Sequence, residues 1–235
     1  MKYILGILLL SFLMVSCAKE EQHNFKLKGY VKGLKKGTVY LQKQQDSLII
    51  TIDSLEIKGD PNFELQTDLE EPEVLILKLD KNDDQENWVS FFADTGVTEI
   101  RSTRKLFNFN SKIKGSKQQD VLEDYLTTIS KLNDRNLDAL KSNFEASKTI
   151  DSTKNVSFED QQNKFLKQKY RYTINFAMTN HDSEVAPYLA VYEIQNTTVH
   201  YLDTIYNSLT PKIKTSKYGK LLKETIDKRT SEETN

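Results

Sequence analysis

The sequence is nearly devoid of cysteine, with one, Cys17, in 235 residues. Thiol–disulfide exchange needs an attacking thiolate and a disulfide needs two sulfurs. Beyond position 17 the chain therefore has neither a Cys-x-x-Cys site nor a disulfide framework. Glycine (8), proline (4) and tryptophan (Trp88 alone) are scarce. No Gly-x-Ser-x-Gly, His-Glu-x-x-His or phosphate-cradling glycine loop occurs, which removes the common signatures of serine hydrolases, zinc proteases and nucleotide-binding enzymes. An excess of either charge is also missing, since 33 basic residues stand against 34 acidic ones. The densest basic group, Lys32, Lys35 and Lys36, flanks glycines as in a solvated turn, so nothing directs the chain toward nucleic acid. What is present is a globular balance of 37% hydrophobic and 29% charged residues, in which 11 tyrosines and 11 phenylalanines must supply much of the packing.

The head of the chain carries Lys2, an apolar run from Tyr3 to Val15, and the small Ser16 before Cys17. A charged start, a short apolar middle and a small residue before a cut are what secretion requires, whereas crossing a bilayer takes about 20 apolar residues. Leu13-Met14-Val15-Ser16-Cys17 resembles the lipobox of bacterial lipoproteins, with Met14 where leucine is commoner. That resemblance implies a signal peptide over 1–16, diacylglycerol on the Cys17 sulfur, an acylated new amino terminus and a tether over 17–23. The alternative, an ordinary cleaved signal, would leave an unpaired thiol in an oxidising compartment. Lys19-Glu20-Glu21 looks like the export signal that carries some Bacteroidota lipoproteins to the cell surface, and a solvated tether would look the same. The expectation is an outer-membrane lipoprotein whose periplasmic or surface exposure is left open.

From Asn24 to Gly115 the apolar pattern has period two. Phe25, Leu27 and Val31 alternate with polar neighbours, and Leu48, Ile50 and Ile52 do the same. Gly33, Gly37 and Gly59-Asp60-Pro61-Asn62 mark turns. Val74 to Leu79 is apolar on both faces and reads as a covered central strand; Trp88–Phe92, Val97–Ile100 and Phe107, Phe109 and Ile113 give three further candidates. Short strands with no helices between them predict an antiparallel β-sandwich or partly open barrel over 24–115. At Ser116 the period changes to that of a helix. Val121, Tyr125, Ile129 and Leu132 share a face, with a polar kink expected at Asn133–Asn136 before Leu137, Leu140 and Phe144. Phe158, Phe165, Tyr172 and Phe176 stripe a second helix, and Thr210-Pro211 is a cap followed by proline at the first helical position. The fold class is α+β, a β domain followed by a helical domain over 116–228, with a disordered tail over 229–235.

Phe25, Leu27, Gly29, Gly33, Gly37-Thr38-Val39-Tyr40-Leu41, Asp53-Ser54, Phe63, Pro72, Phe91-Phe92, Gly96 and Gly115-Ser116 carry a family likeness. In these residues the β half resembles the domain of unknown function at the N-terminus of thioredoxin-like thiol:disulfide interchange lipoproteins of Bacteroidota. The α half is similar to the helical connector that follows it there, through Asn180-His181-Asp182-Ser183, Leu209-Thr210-Pro211 and Tyr218-Gly219. In the longer relatives a thioredoxin-like domain comes next, and this sequence stops where that domain would begin. The resemblance therefore implies the scaffold and the envelope location without the thiol activity.

Candidate sites are few. His23 lies in the tether, His181 before a helix cap and His200 in the first turn of a helix, none in a catalytic context. His200 and Asp203 have the spacing of a metal pair, but zinc needs a third protein ligand and no metal or cofactor is expected. Asp80, Asn82, Asp84 and Glu86 alternate like the start of a calcium loop, yet Gln85 replaces its glycine and Phe91 its closing acid, so a solvated connection is the better reading. Of four Asp-Ser/Thr motifs resembling O-glycosylation acceptors, Asp151-Ser152 is the most accessible, which makes Ser152 the candidate. Tyr170, Tyr172, Tyr188, Tyr192, Tyr201 and Tyr206 suit either a binding groove or, as favoured by their helical spacing, core packing. The expected function is a non-catalytic, membrane-anchored binding or scaffold module with an envelope protein partner. The alternatives are an accessory subunit docking on thioredoxin-like lipoproteins, or a hydrolase using His181 or His200.

Overall fold

A computed structural model describes residues 23–45, 47–81, 83, 85–147 and 158–234. Cys17, Lys19, Glu20, Glu21 and Ser152 lie outside these. The strands are β1 (Phe25–Lys32), β2 (Lys36–Gln45), β3 (Leu48–Lys58), β4 (Asn62–Thr67), β5 (Glu73–Asp80), β6 (Trp88–Ala93), β7 (Gly96–Thr103) and β8 (Lys112–Lys114). They form two four-stranded sheets, ordered β4-β1-β7-β8 and β3-β2-β5-β6. The sheets face each other without closing into a barrel, so the sandwich expectation holds. Alternation puts Phe25, Leu27 and Val31 of one sheet against Leu41, Leu75, Leu77 and Phe91 of the other, all but fully buried.

All neighbouring strands are antiparallel except β1 and β7, whose parallel register runs from Phe25↔Gly96 to Lys32↔Thr103. The chain leaves the first sheet, builds β5 and β6 in the second, and re-enters beside the start of β1, where the Gly96 amide donates to the Asn24 carbonyl. Phe107 and Phe109 are not strand residues. Phe107 plugs the core from a turn, and Phe109 points to solvent at 87% exposure.

Among the described residues six helices follow: α1 (Lys117–Ser147), α2 (Phe158–Thr179), α3 (Val185–Tyr192), α4 (Val199–Ser208), α5 (Pro211–Lys214) and α6 (Lys217–Thr234). Helix α1 continues without interruption through Asn133–Asn136, the segment read from the sequence as a polar kink. No glycine or proline interrupts it, and asparagine costs a helix only tenths of a kcal/mol. Its apolar stripe outlasts its partners, however, and Leu137 and Phe144 are exposed. Helix α3 is buried on nearly every side, as its uniformly apolar sequence requires. Thr210 caps α5 with Pro211 behind it, as read from the sequence.

The tail expected to be disordered from Arg229 is helical to Thr234. The Arg229 guanidinium reaches across and donates to the carbonyls of Gln195 and Thr197, both at 2.5 Å, which pins the last turns of α6 to the α3–α4 connection. Among the described residues, no helix is long and apolar enough to cross a membrane.

Candidate functional site

The helical half is joined to the outward face of the β3-β2-β5-β6 sheet, and the joint is aromatic. Phe92 points outward from β6 and is fully buried. Its ring meets Tyr188 of α3 and Tyr218 of α6 edge-on, with centroids 5.5 and 5.6 Å apart, and those two tyrosines meet each other at 5.3 Å. Edge-to-face pairs of this kind add about 0.5–1.5 kcal/mol each beyond burial. The Tyr218 hydroxyl accepts a hydrogen bond from the Val74 amide of β5 at 2.9 Å, across 144 residues of sequence.

Side chains from α1 complete the joint. Ser116 caps the helix by accepting from the Gln119 amide, and the Gln119 carboxamide oxygen accepts from the Phe92 amide at 2.8 Å. Further along β6, the Trp88 amide donates to the Asn108 side chain. Gln118 accepts from the Ser183 hydroxyl, which itself accepts from the Val185 amide at the start of α3. On the far side, the Lys217 amide donates to the Glu71 carboxylate and the Lys217 ammonium pairs with Glu73. Gly219 allows α6 to approach α5, because a β-carbon there would lie 1.9 Å from the Ile213 carbonyl oxygen. Gly115 turns the chain from β8 into α1 at φ +105°, a left-handed conformation that glycine adopts without strain.

Between the sheet face and the helices lies a cleft of about 570 Å³. Its floor is Val74, Ile76, Ser90 and Gln44; its wall is Tyr188, Tyr192, Tyr218 and Leu221; Glu71, Lys217, Lys220 and Glu224 rim it. The rim charges balance. Burial pushes the Tyr188 phenol up to about 12 and the Tyr218 phenol further still. Both therefore stay protonated at any physiological pH and offer rings and hydroxyls rather than bases. Glu184, buried at the N-terminal end of α3, has its carboxyl raised above the ordinary carboxylate range, first by burial and also by the nearby Glu71 and Asp94, with Ser216 opposing.

The six tyrosines divide. Tyr172 packs in the seam beside Tyr125, while Tyr170 and Tyr206 pack on the helical core. Tyr188 and Tyr192 wall the cleft, and Tyr170 and Tyr201 line a wider groove of about 880 Å³ between α2 and α4. Tyr218, the residue that ties the cleft to the sheet, has no periodic signal of its own and stood out only within the Tyr218-Gly219 pair.

The histidines do not converge with other ligands. His23 bonds Asp68, His181 lies against the Met178 carbonyl and His200 against the Tyr201 ring. Among the described residues no three His, Cys, Asp or Glu side chains gather as metal ligands. In the connection resembling a calcium loop, Asp83 takes the Gln85 amide and pairs with Lys81, and Asn82 and Asp84 lie outside the described residues.

No curated protein matches the sequence. The eight strands together with the opening of α1, including the Gln119 that caps β6, fall within residues 25–122, and that span matches the family model described as a domain of unknown function, DUF4369.

Proposed function

We propose that the protein is a non-catalytic lipoprotein of a Bacteroidota cell envelope, held at the outer membrane by acyl chains on Cys17, and that it works as a binding module for an envelope partner. The observation that carries the binding role is the seam cleft. Three tyrosine rings and a charge-balanced rim surround a floor that pairs apolar Val74 and Ile76 with polar Ser90 and Gln44, a lining suited to contact with an amphipathic partner. The anchor is supported by the Leu13–Cys17 lipobox and by the absence of any other cysteine. Three acyl chains bind a bilayer effectively permanently, since each buried methylene adds about 0.8 kcal/mol.

A photo-cross-linking residue at Tyr192 in intact cells tests the cleft. The expected result is an adduct with one envelope component that is missing when the same probe replaces Tyr201. Equal labelling at both positions, or none at either, would refute the binding site. Cell fractionation tests the anchor, because Cys17→Ser should move the protein out of the membrane fraction.

A second reading, an accessory to thiol–disulfide interchange that docks on a full-length thioredoxin-like relative, is favoured by the DUF4369 match together with the Bacteroidota resemblance. It predicts co-purification with such a lipoprotein, and trapped redox complexes that lack this protein would exclude it.

A further inference from the structure

The start of β1 is fixed to the sandwich. The Asn24 amide donates to Asp68, the Asn24 side chain exchanges two hydrogen bonds with the Leu69 backbone, and His23 bonds Asp68. Cys17 is six residues before His23, so the sulfur can stand at most about 20 Å from that point. Strand register identifies what else lies at this end. β1 begins at Phe25 beside Thr67 and Gly96, β5 begins at Glu73 beside Ala93, and Lys43 of β2 pairs with Leu75. The β2–β3 hairpin therefore turns at the same end of the sandwich from which the tether leaves. Lys43 and Asp68 line one small cavity there. Directly after the turn stand Leu48 and Ile49, the first residues of β3, which pair with Gln45 and Gln44 yet are exposed at 70% and 60%.

We propose that this hairpin is a second membrane contact, with Leu48 and Ile49 inserting among the headgroups of the bilayer that holds the Cys17 lipid. The inference rests on the Cys17 anchor reading for its place in the cell. Two side chains are too few to bind a membrane by themselves, but a tether of this length keeps them at the surface, where insertion follows from their local concentration. The contact fixes how the protein stands on the bilayer. Asp68, Glu70, Glu71 and Glu73 against Lys43 and Lys217 leave this end acidic, so the surface that fits it is zwitterionic rather than anionic.

The test attaches the chain from Cys17 onward through its single thiol to maleimide lipid in phosphatidylcholine vesicles, so that it is independent of acylation in cells. In a Trp88→Phe background, Leu48→Trp and Ile49→Trp serve as separate probes and Leu55→Trp, further along β3, as the control. With bromine-labelled acyl chains, emission from the two turn probes should shift to the blue and fall by about half, and the control should not change. Replacing half of the lipid with phosphatidylglycerol should weaken the quenching. Unquenched turn probes on vesicle-bound protein, or equal quenching of the control, would overturn the proposal. So would a dimer in solution that Leu48→Gln with Ile49→Gln abolishes, because the turn would then cover a second copy. The fate of Cys17→Ser in cells is read separately, so loss of the anchor reading and loss of the hairpin contact remain distinct results.

Discussion

The sandwich core and the seam between the two halves are both aromatic, yet they use different rings. Between the sheets the aromatics are Phe25, Phe63, Phe91 and Phe107. At the seam they are Phe92 with Tyr125 and Tyr218, flanked by Tyr172, Phe176 and Tyr188, so tyrosines predominate. A phenylalanine asks only for volume, whereas a buried tyrosine must also find a partner for its hydroxyl. At the seam these partners are the Val74 amide for Tyr218 and the Thr173 hydroxyl for Tyr125. The sandwich is therefore matched by shape alone, while across the seam the Tyr218–Val74 hydrogen bond adds a directional contact that fixes how α6 sits on β5. That contact is also what shapes the cleft.

The comparison breaks most visibly at Phe92. Phe92→Ala should cost about 3–5 kcal/mol, and Leu77→Ala in the sandwich about 2–5 kcal/mol. The two losses should differ in kind. In urea unfolding followed by Trp88 fluorescence and by helical circular dichroism, the two curves should separate for the Phe92 variant and remain superimposed for the Leu77 variant.

Tyr218→Phe keeps the ring and removes the hydroxyl, leaving the Val74 amide without its acceptor. A loss of about 1–3 kcal/mol is expected, with faster hydrogen exchange at Val74 as the specific sign. Arg229→Ala should cost about 1 kcal/mol and be felt locally. Exchange protection should drop from Thr230 to Thr234 and stay unchanged at the seam.

The smallest effect is one of pH. The Glu184 carboxyl is raised in the folded protein above its ordinary 4.5. Its contribution is therefore fully favourable below that value and is lost as the pH rises through the raised folded value. Asp60 and Asp68, which are lowered by hydrogen bonds, act with the opposite sign. The difference between wild type and Glu184→Gln isolates the buried acid. Thermal melts should show the variant gaining on wild type as the pH is taken from 4 to 7, and a constant difference would mean that Glu184 ionises freely.

Much of the sandwich was legible because a two-residue period is a local signal that β1 and β2 obey, and because the doubly apolar run of β5 marks a strand covered on both faces. The parallel β1–β7 pair was not, since nothing within either strand specifies which neighbour it will meet. The tail was misread for a related reason. Arg229 has no apolar neighbours in sequence, and the carbonyls that hold it belong to the α3–α4 connection. The cleft was half legible. Tyr188 and Tyr192 were among the groove candidates, but their partners Val74 and Ser90 lie about a hundred residues earlier, and Gln119 reads like any solvated amide in the first turn of a helix.

The two amide side chains on the outer edge of β6 have a consequence for what the protein resists. A bare sheet margin is a template on which a foreign strand can polymerise. At this margin Gln119 occupies the Phe92 amide and Asn108 the Trp88 amide, so an incoming strand would have to displace both before it could zip on. Strand addition to this sheet is therefore easier at the opposite margin, along β3.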